Sequence, residues 1–189
     1  MKISEARRLQ LLSWASDIMQ SRPCDLKVGT HIERWMIWPK SQWRNIYIHR
    51  FVGDDLDQAL HDHEPDNISI LLEESYIEHF HVEPRERELH DGKIRFKRRQ
   101  VVRKQGDIIF RFAETPHCTS MPRYINTASG PVALGFGSGG EIIRPAISLF
   151  IQGPRRRRWG FHCVQGWKHW KDYIDENKSY GDRSGQGCG

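Results

Sequence analysis

Residues 61–63 read His-Asp-His, and residues 106–117 read Gly-Asp-Ile-Ile-Phe-Arg-Phe-Ala-Glu-Thr-Pro-His. On an extended segment successive side chains alternate, so His61 and His63 project to one face and Asp62 to the other. Two neutral imidazole nitrogens meeting at one point are half of a transition-metal site. In the second stretch Gly106-Asp107 supplies a turn, Ile108-Ile109-Phe110 a short strand, and His117 a third imidazole. His79-Phe80-His81 repeats the paired pattern with no matching histidine downstream, and reads as a strand facing solvent or a barrel rim.

Around these stretches the chain breaks into short extended runs at 32–38, 44–51, 68–72, 76–82, 94–97, 100–104, 108–112, 131–136 and 147–151. Asp91-Gly92, Gln105-Gly106-Asp107 and Ser129-Gly130 punctuate them as turns. Many short strands at near-regular spacing indicate a β-sandwich or barrel. Residues 4–20 carry helical periodicity instead, with Leu11, Leu12, Ala15 and Ile18 on one stripe, and Pro23 closes the segment. That stripe is expected to cover an outer face of the barrel. A second helix is expected over 167–176. The expected organisation is therefore an N-terminal helical segment at 1–25, a β-barrel at 26–153, a basic and aromatic segment at 154–180 packing on the barrel, and a disordered tail at 181–189.

A length of 189 residues suits one domain whose core needs no staples. No apolar run approaches the roughly 20 residues that span a bilayer. Glu5, Arg7, Arg8 and Asp17 interrupt the first twenty residues and no cleavage site follows, so no secretory signal is expected and the chain reads as cytoplasmic. Cys24, Cys118, Cys163 and Cys188 lie far apart without the spacing of a zinc ribbon, and read as free thiols in a reducing compartment. The formal charge is +5, but its distribution is uneven: thirteen acids fall within 54–91 against Arg85 and Arg87, whereas 93–104 carries seven basic residues and no acid. Arg155 to Arg158 form a second basic run. Basic residues interleaved with aromatic ones suit an anion, but no nucleic-acid-binding signature accompanies them, so weak nonspecific nucleic-acid binding is the most expected.

The order of features resembles the cupin superfamily. Its first motif has HxH, a three- or four-residue gap and a Glu; here His61 and His63 are followed at the three-residue gap by Asn67. Its second motif opens with Gly and places a metal-binding His eleven positions later, as Gly106 and His117 stand. The sequence departs from the family at Asn67 in place of Glu, at Asp55 and Glu74 in place of glycines, and at Phe112 and Glu114 in place of Pro and Gly. The segment Trp159-Gly160-Phe161-His162-Cys163, with Gly166-Trp167 and His169 to Tyr173, is similar to the ending of uncharacterised cupin-like proteins of bacteria and phages.

The resemblance implies an all-β-dominated, cupin-type jelly-roll barrel with an N-terminal helix and a C-terminal helical segment. It implies a divalent transition metal, iron or alternatively zinc, manganese or nickel, on His61, His63 and His117, with Asn67 in or beside the ligand set. Thiol dioxygenases of the superfamily carry a Ser-x-His-x-Tyr set that Thr119 to Ile151 does not supply. The activity expected is a metal-dependent reaction on a small polar or anionic metabolite, foremost non-haem iron oxygenation. Sugar-phosphate isomerisation or epimerisation, and a non-catalytic module binding a small ligand or nucleic acid, are the alternatives. Arg50, Arg111 and Tyr76 are candidate substrate anchors. No membrane partner is expected, and a homodimer is compatible with this reading.

Overall fold

The computed structural model describes residues 1–38, 41, 43–55, 59–127, 130–134, 142–174 and 187–188, and the side chains of 125–127 and 130–134 are not described. The chain opens with α1 (Glu5–Ser21), capped by Ser4, whose hydroxyl accepts from the Arg7 amide. Strands β1 (Leu26–Val28), β2 (Ile32–Met36), β3 (Asn45–Phe51), β4 (Leu60–His61), β5 (Asn67–Glu73) and β6 (Ser75–His81) follow. Next come β7 (Arg87–His90), β8 (Lys93–Phe96), β9 (Arg98–Lys104), β10 (Ile108–Arg111), β11 (Cys118–Ser120), β12 (Arg123–Thr127) and β13 (Gly130–Leu134). The chain continues through β14 (Ile142–Ile143), β15 (Ala146–Gln152), β16 (Gly160–Cys163), β17 (Gly166–His169) and α2 (Trp170–Tyr173).

Two antiparallel layers enclose the interior. One is a six-stranded sheet in the order β1-β2-β3-β15-β5-β10. The other joins the β9-β6-β11 and β4-β16-β17 sheets through an antiparallel bridge between His61 and His117, whose amides each donate to the other's carbonyl. This is a jelly-roll-like β-barrel, strand-rich, with a helix at its start and a short one near its end.

Alternation along β3 and β15 assigns each residue a layer. Ile48 and Leu149 face outward, where Ala15, Leu11, Leu12 and Ile18 of α1 cover them together with Trp35 and Leu72. The apolar stripe of α1 thus lies where the sequence placed it; Glu5, Arg7 and Asp17 are exposed, whereas Arg8 is buried with Nη1 donating to the Leu72 carbonyl. The opposite faces hold Phe51, Leu71, Tyr76, Ile109 and Met121, the core between the layers, with the Phe51 and Tyr76 rings stacked at 5.0 Å.

The C-terminal segment differs from the sequence reading. Residues 166–169 form a strand on β16, and the described helix is confined to Trp170–Tyr173; residues 175–176 lie outside the described residues, as do 135–136 of the expected strand and 181–186 and 189 of the expected tail. Gly160 explains the close hairpin, because a Cβ there would lie 2.1 Å from the Lys168 carbonyl oxygen. Cys163 and Cys188 form a disulfide, so the reading of four free thiols holds only for Cys24 and Cys118, and the inference of a reducing compartment loses its basis. No described helix is long and apolar enough to cross a membrane.

Asp62 fastens this segment to the barrel. It is fully buried and faces away from His61 and His63, as alternation requires. Its carboxylate accepts from the Gly160 amide at 2.7 Å, Trp167 Nε1 at 2.9 Å and His162 Nε2 at 3.0 Å, and pairs with Arg157 at 2.9 Å. Burial by itself would raise the Asp62 carboxyl; the bonds from His162, Gly160 and Trp167 hold it below its ordinary range. Asp62→Ala should therefore cost about 3–5 kcal/mol, the scale for removing one partner of a buried ion pair, lowering the melting temperature by roughly 10 °C. A melting temperature within a degree or two of wild type would show that Asp62 does not carry the segment.

Candidate metal centre

His61 stands at the end of β4, His63 follows in the adjoining loop, and His117 immediately precedes β11. The His61–His117 bridge sets the two chain segments side by side, and the His63 amide donates to the Ala113 carbonyl at 2.8 Å. One ligand atom from each of the three histidines falls within 4.8 Å of the other two. His63 Nε2 and His117 Nε2 are 2.7 Å apart.

Glu78 directs the far nitrogen of His117, whose Nδ1 lies 2.7 Å from Glu78 Oε1. His61 Nδ1 lies 3.2 Å from Asp55 Oδ2, a contact outside hydrogen-bond geometry. With Glu78 accepting from Nδ1–H, the His117 Nε2 lone pair is turned toward the cluster, the arrangement that orients and strengthens an imidazole ligand. Burial is the largest influence on His63 and His117. It lowers His63 well below its ordinary range, reinforced by the neighbouring His117 and His61, and lowers His117 to about 4 despite the opposing pull of Glu78. Neutral imidazoles with converging nitrogens and carboxylate backing are a donor set that fits a divalent transition metal.

Glu78 organises the wall behind His117. It is fully buried on β6. Arg111 Nε donates to it at 2.5 Å and Arg103 Nε at 2.6 Å. Burial would raise its carboxyl, but the Arg111 charge and the His117 bond hold it well below the usual carboxylate range. Each of the other Arg111 nitrogens also finds an acceptor: Nη1 donates to Asn67 Oδ1 at 3.3 Å and Nη2 to the Tyr76 hydroxyl at 2.8 Å.

This network revises several sequence-based assignments. Asn67, read as a companion ligand, turns its Oδ1 to Arg111, and its buried Nδ2 has no hydrogen-bond partner. Arg111 and Tyr76 do line the cavity, but they are bonded to each other and to Glu78 rather than presented to a ligand. Arg50 is corrected outright: β3 alternation turns it to the outer surface, where it pairs with Glu33 at 3.1 Å, and its neighbour His49 faces inward. His79 and His81 are buried rather than solvent-facing; His79 Nε2 bonds Ser120 Oγ at 2.7 Å, and His81 packs against Phe96. Asp55 and Glu78 were not singled out from the sequence. Glu78 had a faint signal, a lone charge between Tyr76 and Phe80 on one face of a predicted strand.

The histidines line a cavity of about 230 Å³. Its walls include Phe51, Phe150, Trp159 and Phe161, with His31, Arg34, His49 and Thr119 among the polar groups. The basic runs are matched in part by the acidic stretch: Arg155 pairs with Glu64, Arg156 with Asp66 and Arg157 with Asp62, while Lys97 pairs with Glu86, Arg95 with Glu88 and Arg103 with Glu78.

No protein-family model matches the chain, and no curated protein sequence does. Among solved structures it is similar to a cupin superfamily protein from Desulfitobacterium hafniense, at 9% identity and a TM-score of 0.37 over 68% of this chain and 83% of that one. It is also similar to hydroxypropylphosphonic acid epoxidase from S. wedmorenis, at 11% identity and a TM-score of 0.42 over 67% of this chain and 53% of that one. A third is the DMSP lyase of Ruegeria pomeroyi, at 14% identity and a TM-score of 0.39 over 73% of this chain and 56% of that one. At such identities no side-chain role is carried across with the likeness.

The buried histidines give the metal-free protein a defined pH response. With folded values lowered to about 4 for His117 and His81, against about 6.5 when unfolded, both states are neutral above pH 7 and the shift contributes nothing. Between about 6.5 and 4 the unfolded chain takes up protons that the folded chain refuses, so stability falls as pH falls. At pH 5 each such histidine costs roughly 2 kcal/mol. Denaturant titrations of metal-free protein at pH 7.5 and 5 should show this loss. Equal stability at both would contradict the burial of neutral imidazoles.

Proposed function

We propose that the protein is a metal-dependent enzyme in which His61, His63 and His117 hold one divalent transition metal at the wall of a small cavity. The observation that carries this is the convergence of three imidazoles, with the outward nitrogen of His117 hydrogen-bonded to the buried Glu78. The short His63 to His117 contact is part of the same reading, since two ring nitrogens 2.7 Å apart are close enough to share one cation. When bound, iron with open positions would supply dioxygen activation, whereas zinc, manganese or nickel would supply Lewis-acid chemistry.

An all-histidine set adds no anionic ligand, so the full charge of the cation is directed at water or substrate in the open positions. Oxygenation of a small polar or anionic metabolite is the activity favoured here. The chain's own contribution is to fix His117 through Glu78, set His61 beside it through their backbone bridge, and exclude bulk water with Trp159 and Phe161. Pairing of the basic runs within the chain speaks against a nucleic-acid partner.

The test is metal analysis of protein purified without an affinity tag, beside His61→Ala, His63→Ala, His117→Ala and Asn67→Ala. The expected result is one bound metal per wild-type chain, loss of metal in each histidine variant with the barrel still folded by circular dichroism, and retention in Asn67→Ala. Wild-type protein that takes up no divalent transition metal at submillimolar concentration would overturn the assignment.

A further inference from the structure

The C-terminal hairpin carries both a wall of the metal cavity and a disulfide, and direct contacts join the two. Trp159, Phe161 and Ile174 line the cavity. Phe161 and Cys163 are two positions apart on β16, so both side chains leave one face of the strand. Both are buried in one apolar cluster with Ala59 and Tyr173, and the Tyr173 and Phe161 rings stack with centroids 3.7 Å apart. Cys188 packs against the same cluster and is bonded to Cys163. Its neighbour Gly187 donates its amide to the Tyr173 carbonyl at 3.2 Å and accepts from Lys168 Nζ at 2.9 Å. The disulfide is thus the covalent member of a set of contacts that hold Tyr173, and with it Ile174, in place.

The surroundings of the disulfide favour its opening. A small cleft beside it is lined by Cys163 and Cys188 together with His81, His162, Arg95 and Arg98, and no acid is among its described lining residues. Arg95 pairs with Glu88 at 2.8 Å, Arg98 donates to Cys118 Sγ at 3.3 Å and His162 is bonded to Asp62. The positive potential registers on His81: burial, then Arg85, His162 and Arg98, lower it to about 4. Nearby cations stabilise a thiolate over its thiol, and a stabilised thiolate is the better leaving group in disulfide exchange. Cys163 is buried, whereas Cys188 is partly exposed and is the sulfur open to attack.

We propose that the Cys163–Cys188 disulfide is a reducible latch on the metal cavity, released by an external dithiol. One thiolate of the dithiol attacks Cys188 Sγ, forming a mixed disulfide and expelling Cys163 as a thiolate into the cleft. The second sulfur of the dithiol then attacks the first, closing a cyclic disulfide and expelling Cys188. The dithiol is oxidised by two electrons, the protein disulfide is reduced by two, and the two cysteines end protonated. Tyr173 keeps its ring stack but loses the covalent hold, so the segment 159–174 opens more often and the cavity exchanges its contents faster. The latch rests on the metal-centred reading for what the cavity holds, whereas the opening of the segment is measurable without metal.

Hydrogen exchange read by mass spectrometry on the full chain tests the latch, with alkylation of the unfolded protein to map its thiols. Without reductant, Cys24 and Cys118 should alkylate and Cys163 and Cys188 should not. Dithiothreitol should speed exchange over 159–174 at least about tenfold, the scale of losing one local cross-link, and leave 45–51 and 146–152 unchanged. Cys188→Ser without reductant should match the reduced wild type and no longer respond to dithiothreitol, and EDTA should strip its metal faster by a similar factor. Cys163 and Cys188 alkylating without reductant would overturn the latch. Exchange rising equally in the six-stranded sheet would overturn it too, making the bond a staple of the whole fold, as would faster exchange with metal release unchanged. Dithiothreitol-dependent opening of 159–174 in protein that takes up no metal would sustain the latch and overturn the metal-centred reading. One metal per chain with exchange unaltered by reduction would do the reverse.

Discussion

The buried carboxylate of Glu78 is the constraint around which the interior is arranged. A charge without solvent access is tolerated only when it is paired and fully hydrogen-bonded, and Glu78 meets that condition with Arg111, Arg103 and His117. Those partners come from β10, β9 and the approach to β11, and Arg111 extends the network to Asn67 on β5 and Tyr76 on β6. The result ties the two layers together at the place where the histidines converge. It also fixes the ring of His117 so that Nε2 faces His61 and His63. Removing Glu78 would leave Arg111 buried with its principal counter-charge gone, so the geometry of the site and the stability of the barrel share one residue.

A second set of charges does comparable work at the surface. The acids that follow the His-Asp-His stretch meet the Arg155 to Arg157 run one for one, and Asp62 is the buried member of that series. The hairpin of β16 and β17 is thereby drawn across the mouth of the barrel, bringing Trp159 and Phe161 to the cavity. Part of the charge that looked available for an external polyanion is paired within the chain. The same contacts link the segment between His61 and His63 to the C-terminal hairpin, so the shape of the cavity depends on the order of that hairpin.

Much of this was legible in the sequence because it is written in local spacing. The i, i+2 pairing of His61 and His63, the eleven positions from Gly106 to His117 and the helical stripe of Leu11, Ala15 and Ile18 each depend on one element's geometry. What was not legible depends on elements meeting through space. Asp55 and Glu78 are two of thirteen acids in one acidic stretch, and only the aromatic neighbours on its strand face set Glu78 apart. Arg34 and Arg50 differ only in which face of neighbouring strands they occupy, which a single strand's pattern left open. Cys163 and Cys188 are 25 residues apart, a spacing with no signature of its own. Residues 166–169 carry two aromatic side chains and read equally as helix or strand until β16 is beside them.

The central claim is that three imidazoles, and no protein carboxylate, form the metal's protein ligands. X-ray absorption at the edge of the bound metal measures this most directly. The account predicts a first shell with about three histidine nitrogens at roughly 2.0–2.2 Å, their outer-ring scattering resolved, and the remaining positions filled by exchangeable oxygen. A first shell of oxygen alone, or one containing sulfur, would contradict it.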